Sequence, residues 1–594
     1  MNTRTETYLA KQKKHEQEVK QIKNTSLRIS ILRLITVIGF GLSLYYYFKL
    51  NNEVLLVLAG ICTIAFFTLI KIHGRLSFKR KIKDALVAIN KDEIDYLENK
   101  NLNYNNGSEY IDTTHSYSYD LDIFGDKSLF QILNRTATYI GKTKLANSLL
   151  SIIPNTEIIL NQQAISELSK DIEWRQGILA YSKTTEDSKE IYTELIRWSK
   201  AKEQKTPIVL TIISFLFPAI YFVALGGMIF TDNGIFNNIA LFTFLINLFI
   251  LMSQYNNIKA EMLNATKIKD ILRNYSLIIK QIENKDLTSE KLNQLKNKLN
   301  DNEGLASEQI KKLSSLFGQL ENILNPIGAG LFNGVILYHL HTLRSLYKWK
   351  SAHRTKITAW LDVIGEIEKL NSFANFAYNN TDFTYPELNS NYKIEFNDLS
   401  HPLLDRETRI NNTVDFNNQN FIILTGSNMS GKSTFLRSLG INMVLAGTGS
   451  PICASKANIH PLNVLVSMRL SDSLSDNESY FFAEVKRLKE IMDKADKTIS
   501  FVLLDEILRG TNSDDKRTGT VEVIKKIIGK KVVGAIATHD LKVCDTTQEY
   551  PETLTNKCFE VEIINNELVF DYKLRDGVCK NKSATFLMKK MQVI

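Results

Sequence analysis

With 594 residues the chain is too long for one ordinary domain. Its 44% hydrophobic and 23% charged residues are normal for globular protein, and a net charge of +9 suits nucleic acid or anionic lipid without demanding either. Five scattered cysteines with no CxxC pair argue against a zinc site and against a disulfide framework.

Residues 1–28 are polar and densely charged, too long and too mixed for the n-region of a cleavable signal peptide. Four apolar stretches follow, at 34–48, 54–70, 208–230 and 236–252. A helix needs about 17–25 apolar residues to cross a bilayer. The third meets that easily; the first does so if Ile29, Ile31 and Leu32 join it and Arg33 snorkels. The stretches come in pairs around tight turns, so they predict two transmembrane hairpins, 29–72 and 207–253, with Tyr45, Tyr46 and Tyr47 at an interface. Lys71, Arg75, Lys79, Arg80 and Lys81 follow the second stretch, and Arg197, Lys200, Lys202 and Lys205 precede the third. The turns carry almost no positive charge, so both termini and the soluble parts are expected in the cytoplasm of a four-span membrane protein. Asn247 is the one strongly polar side chain in mid-span.

Residues 73–206 read as a cytoplasmic region and 254–385 as a helical one, with apolar residues at helical spacing through 268–299. The apolar run 327–340, broken by Gly328, Gly330, Asn333 and Gly334, reads as a buried helix, or else as an interfacial segment. From Phe421 short apolar runs alternate with helices, the signature of a parallel α/β sheet.

The chemistry sits in that last third. A strand at 421–425 runs into Gly426, Ser427, Asn428, Met429, Ser430, Gly431, Lys432 and Ser433, then Thr434, matching G-x-x-x-x-G-K-[ST] at every fixed position. Glycines let backbone amides wrap phosphate oxygens, and the following helix directs its positive end at the same point. Lys432 is expected to neutralise the β and γ phosphates of ATP, and Ser433 to hold Mg²⁺. A second strand, 500–504, ends in Asp505 and Glu506: the first carboxylate suits Mg²⁺, the second an attacking water. A third, 532–537, ends in Thr538 and His539, where a polar residue faces the γ-phosphate. ATP hydrolysis is the expected activity, with Lys432, Glu506 and His539 as catalytic groups.

Taken in order, these residues resemble the MutS family of ATPases. Residues 426–434 are similar to its P-loop, with Ser427 where proline is usual, and Asp505-Glu506-Ile507-Leu508-Arg509-Gly510-Thr511-Asn512 to its D-E-I-x-R-G-T signature. Ala537-Thr538-His539 matches its A-T-H switch, and Ser479-Tyr480-Phe481-Phe482-Ala483-Glu484 resembles its S-T-F-x-x-E segment, with Tyr480 in place of threonine and Asn477 in place of the glycine two before the serine. His401-Pro402-Leu403 resembles the R-H-P start of the ATPase domain, here 386–594, and Gly577 with Lys582-Ser583-Ala584 loosely resembles a late segment. Residues 128–142 are similar to the start of the family core, so the likeness covers about 119–200 and 355–594.

The resemblance implies a multidomain fold: a helical MutS-like core, here with two transmembrane hairpins, then a C-terminal α/β P-loop ATPase domain of ABC type. It also implies a homodimer, in which Ser479 reaches the nucleotide of the other subunit, and double-stranded DNA gripped between protomers by lysine-rich runs such as 291–298 and 344–356. Three departures stand out. The mismatch-reading F-x-E wedge has no counterpart before 119, the second hairpin interrupts the core, and the family's adenine-stacking aromatic would fall near Arg409. Mismatch reading is therefore not expected. The alternative is an ATP-driven transporter or membrane-remodelling motor that binds no DNA, although charged residues and an LSGGQ-type signature are lacking where such a machine uses them.

Overall fold

The computed structural model describes residues 3–100, 102–202, 206–262, 265–301, 304–469, 480–564, 567–580, 588 and 592. It opens with helices Thr3–Leu50 and Glu53–Leu97, an antiparallel pair. Asn51 takes φ 50°, a left-handed value asparagine tolerates, and Asn52 caps the second helix by accepting the amide of Val54. The sequence divides this region into a polar segment, 1–28, and an apolar hairpin, 29–72. The structure fuses them into one long rod, because no proline occurs before Pro154 to stop a helix. At 1.5 Å per residue the first helix is about 70 Å long, enough for an apolar tip and a charged stem.

The open end of the stem docks on the helical core. Tyr8 is fully buried and donates its hydroxyl to Asn379 Oδ1 at 2.8 Å. Glu93 and Arg135 form a buried pair, 2.5 Å from Nε to Oε1 and 3.2 Å from Nη2 to Oε2, and Asn379 Nδ2 donates to the same carboxylate at 2.8 Å. Burial alone would raise the pKa of Glu93, but the Arg135 guanidinium overrides it and holds the carboxyl below its usual range.

The axis of the core is helix Ile357–Asn379, buried on nearly every side. Against it packs helix Tyr139–Ser148, capped by Thr138, whose Oγ1 donates to Glu368 Oε2 at 2.5 Å. A Cβ at Gly141 would lie 1.9 Å from Glu368 Oε2, so only glycine permits this approach. The family-like stretch 128–142 thus owes its threonine and glycine to one helix contact.

The second hairpin, helices Ile208–Phe230 and Ile235–Met262, stands between core helices Lys189–Lys200 and Ala265–Glu283. Asn247 has a structural partner: its Nδ2 donates to Gly334 O at 2.8 Å. The run 327–340 is not one buried helix. Helix Pro326–Ile336 stops at Leu337 (φ 50°), and helix Tyr338–His353 follows. Ala329, Asn333 and Gly334 face inward, whereas Ile327, Leu331 and Phe332 face out. The basic run 344–356 is also partly core: Lys350 is 5% exposed, its ammonium 4.9 Å from the Trp198 ring, and His353 is buried.

The C-terminal part carries a six-stranded sheet in the order Glu567–Asp576, Leu554–Ile564, Phe421–Gly426, Val532–Ala537, Ser500–Asp505, Asn463–Ser467. Only the first of these runs antiparallel to its neighbour, as the α/β reading anticipates for a sheet buried on both faces. A second, four-stranded sheet between 387 and 459 went unread in the sequence. Helix Lys432–Thr448 lies almost wholly buried between the large sheet and the helical core, within one continuous hydrophobic cluster.

Glu93→Ala leaves Arg135 as a buried cation without its carboxylate. The expected loss is about 3–5 kcal/mol of stability, read by denaturant unfolding of the purified protein, and Arg135→Met added to it recovers most of the loss. In the parent protein this contribution is present above the unfolded pKa of Glu93 and is lost as pH falls through its lower folded value.

Candidate functional site

Strand Phe421–Gly426 sits at the centre of the parallel sheet, every residue buried, and delivers the chain to a glycine-rich loop. The loop turns through Met429 (φ 66°) and Gly431 (φ 103°), the latter a left-handed value suited to glycine. A Cβ at Gly426 would lie 2.8 Å from Phe559 O. Helix Lys432–Thr448 begins at once, so its free amides point into the loop. Lys432 Nζ donates to the carbonyls of Gly426 and Ser427, 2.9 Å each, and burial lowers its pKa.

Neighbouring strands bring the acidic groups to the same edge, since strands 500–505 and 532–537 run parallel in register, with Ala537 opposite Asp505. Ser433 Oγ donates to Asp505 Oδ2 at 2.6 Å, while Asp505 Oδ1, buried, has no partner. One hydroxyl, one carboxylate and an unengaged buried oxygen are a hard-oxygen donor set that fits Mg²⁺, with remaining ligands from water and phosphate. Glu506, at φ 50°, sets Oε1 2.6 Å from His539 Nε2. That contact assigns the Nε2 hydrogen to the pair, so Lys432 Nζ, 3.5 Å from Nε2, is a neighbour rather than a donor. The hydrogen bond from His539, followed by the charges of His539, Arg509 and Lys432, holds the Glu506 carboxyl at about 2 against the opposing effect of burial.

Every described residue expected at the site is there: Gly426, Ser427, Asn428, Met429, Ser430, Gly431, Lys432, Ser433, Thr434, Asp505, Glu506 and His539 meet around one edge of the sheet. Ser479 and the late motif residues 582–584 lie outside the described residues. The fold adds four groups that sequence reasoning gave no role. Glu484, buried, accepts the amides of Leu508 (2.7 Å) and Arg509 (3.0 Å), fixing the turn after Glu506. Arg509 donates back to the carbonyls of Glu506 (2.9 Å) and Asp505 (3.0 Å). His401 lines the cavity, its pKa pushed to about 4 by burial first and then by Arg437, so it is neutral at physiological pH. Tyr572 comes from the antiparallel edge hairpin, at φ 55°, and its ring lies 3.1 Å from where a Gly431 Cβ would be. Glu484, Arg509 and His401 fall in segments that carry the motifs; nothing local marks Tyr572.

The loop, Glu506, His539 and the segment 399–412 line a cavity of about 560 Å³, a size that suits a small ligand. Arg409 lines it near where the family resemblance would put an aromatic, and is held by Asp382 with its guanidinium 5.1 Å from the Phe383 ring. The arrangement offers amides and an ammonium to anionic oxygens, a metal position, and a fully ionised carboxylate beside it.

Residues 422–592 match the MutS domain V family. MutS protein homolog 4 of Homo sapiens is 29% identical over 233 residues, 37% of this chain and 24% of that protein. DNA mismatch repair protein MutS is 29% identical over 223 residues in Thermotoga petrophila and 33% identical over 235 in Ehrlichia chaffeensis, 37% and 38% of this chain and 28% of each relative. The chain therefore spans about a quarter of the length of the curated relatives it matches.

His539→Ala removes the main support of ionised Glu506, so its pKa is expected to rise from about 2 toward the usual glutamate value of about 4.3. The check is a carboxyl ¹³C titration, assigned by loss of the signal in Glu506→Gln. Because the folded value is depressed, the group stabilises the parent fold above about 4.3 and loses that contribution as pH falls toward 2.

Proposed function

From a C-terminal region that is MutS-like, we propose that this chain is a membrane-held, Mg²⁺-dependent ATPase that works as a dimer. The observation that carries the reading is the convergence at one sheet edge of the glycine loop, the Ser433–Asp505 pair and the Glu506–His539 pair. Lys432 leaves the loop carbonyls to meet the β and γ phosphates, while the loop amides hold their oxygens. Ser433 and Asp505 would hold Mg²⁺, which would supply charge neutralisation to the phosphates when bound. Glu506 orients and accepts a proton from the attacking water, and Glu484 and Arg509 keep it aimed. His539 shares its Nε2 hydrogen with Glu506 and can redirect it to the γ-phosphate, making the pair a sensor of the bound state.

Four helices long and apolar enough to cross a bilayer support the membrane assignment: their apolar windows have mean hydropathies of 1.8, 2.4, 2.5 and 2.0 and are at most 28% buried. The positive flanks favour a cytoplasmic ATPase domain with both termini on the same side. Met429, 77% exposed on the loop, is a side chain that a second subunit would cover, as the composite-site reading with Ser479 requires. Double-stranded DNA is the proposed target, because relatives over this region are named mismatch repair proteins. A motor that acts on the membrane without DNA is the second reading, favoured by the two hairpins and by the partly buried basic run 344–356.

Glu506→Gln is expected to cut ATP turnover by about 10²–10⁴-fold with nucleotide affinity retained, measured by phosphate release and by binding of a fluorescent ATP analogue; unchanged turnover removes Glu506 as the base. Fluorescence anisotropy of the full-length protein in nanodiscs with matched and mismatched duplexes separates the two readings. Binding that depends on nucleotide and falls steeply with salt is expected, without preference for the mismatch; no binding in any nucleotide state, with turnover intact, favours the second.

A further inference from the structure

Residues 322–343 contain no Asp, Glu, Lys or Arg over 22 positions. They form a bent unit: a short helical turn Asn322–Leu324, helix Pro326–Ile336, a break at Leu337, and the first turns of helix Tyr338–His353. The first helix has 11 residues, about 16 Å of rise, half the hydrocarbon thickness of about 30 Å. It cannot span. Together with the turn before it, it does carry a stripe of large apolar side chains facing away from the protein: Leu324, Ile327, Leu331 and Phe332, between 55% and 83% exposed.

Its opposite face is fitted to the second hairpin. Gly334 meets helix Ile235–Met262 so closely that a Cβ would lie 2.1 Å from the Phe244 ring, and its carbonyl accepts Asn247 Nδ2 at 2.8 Å. The helix after the break touches the other span, where His341 Nε2 is 3.1 Å from Ser214 O. These contacts set the depth. Asn247 is 12 residues from the Ile235 end, beside the outer turn, about 18 Å along the helix. Ser214 is six residues from Ile208 at the opposite end, about 9 Å along. Measured across about 30 Å of hydrocarbon, both levels fall in the half of the membrane on the side of Arg197 and Lys200.

The break is sealed as irregular backbone at such a depth must be. Asn333 Nδ2 donates to Ala329 O (2.6 Å) and lies 2.7 Å from His339 Nδ1, while its Oδ1 accepts the amide of His339 at 2.9 Å. Asn247 Oδ1, which has no partner, is buried in the protein and does not face out. Arg344, the first charge after the run, lies 5.7 Å from the Phe215 ring, a snorkelling position near the membrane surface.

We propose that 322–343 is a re-entrant helical hairpin that dips into the cytoplasmic leaflet beside the second transmembrane hairpin, its outer stripe covered by lipid acyl chains. The proposal rests on the membrane reading above. It ties the bilayer to the core directly, because helix Tyr338–His353 continues from the hairpin into the core at Trp349 and His353.

The test uses full-length protein carrying Cys62→Ala, the other four cysteines being buried, with one new cysteine at a time: Leu331→Cys, Phe249→Cys on the span, and Glu308→Cys on an exposed core position. Each is labelled with a thiol-reactive nitrobenzoxadiazole fluorophore and reconstituted into phosphatidylcholine liposomes. Quenching by nitroxide-labelled lipid is compared with quenching by aqueous iodide. The expected result is that the Leu331 site follows the Phe249 site, with lipid quenching several-fold above that at Glu308 and iodide quenching several-fold below. If the Leu331 site follows Glu308 while Phe249 stays in lipid, the re-entrant hairpin is overturned and the membrane reading stands. If Phe249 is also quenched by iodide and not by lipid, the membrane reading falls and the proposal with it.

Discussion

Everything in this structure hangs on helix Lys432–Thr448. Its first residue is the lysine of the glycine loop and its last turn is pinned to the helical core, where Asn161 Nδ2 donates to Thr448 O at 3.0 Å. Between those ends it has almost no exposed surface, and the packing is close. A Cβ at Gly440 would lie 2.7 Å from Leu121, and one at Gly447 would lie 2.7 Å from Ile152. Asn442 ties the middle to the second sheet through Ser400 O and the amide of Cys453. A close-packed element of this kind transmits displacement rather than absorbing it. The glycine loop and helix Asn155–Ser169 are thus joined by one continuous packed element.

Helix Asn155–Ser169 in turn packs against Ile357–Asn379, on which the first hairpin is also seated. The stem contacts are polar and buried: Tyr8 and Glu93 both bond Asn379 on that helix, while Glu93 with Arg135 and Asn90 with Gln176 hold the stem to neighbouring parts of the core. Buried polar networks hold one geometry well because any partial loss leaves charges unpaired. The site and the apolar rod thus meet at one rigid helix, by hydrogen bonds on one side and by hydrophobic packing on the other. The second hairpin joins the same core through Trp198, which donates to Glu261 at 2.6 Å and stacks on Trp349.

The sheet edge beside the glycine loop shows how little of the site is made by any one segment. Glu506 points as it does because Glu484, on helix Tyr480–Ala495, holds the two amides that follow it, and because His539, on the next strand, holds its carboxylate. Three segments separated in sequence converge through parallel strand register. The same register leaves Asp505 Oδ1 buried and without a partner beside Ser433.

The glycine loop, the strand ends at Asp505 and His539 and the four apolar stretches were all legible in the sequence, because each is a local pattern: residue spacing sets backbone geometry, and uninterrupted apolar length sets what a helix can cross. The parts that stayed hidden are those made by contact. Tyr572 reaches the cavity only because the last hairpin adds to the sheet edge. Lys350 and His353 look like a solvated basic face until Trp198 and Trp349 close over them. The run 327–340 reads as buried from its hydrophobicity, yet hydrophobicity cannot say whether an apolar face meets protein or lies outside it. Gly334 against Phe244 decided that, since only the small-residue face of the helix fits the neighbouring helix and the large side chains must turn outward.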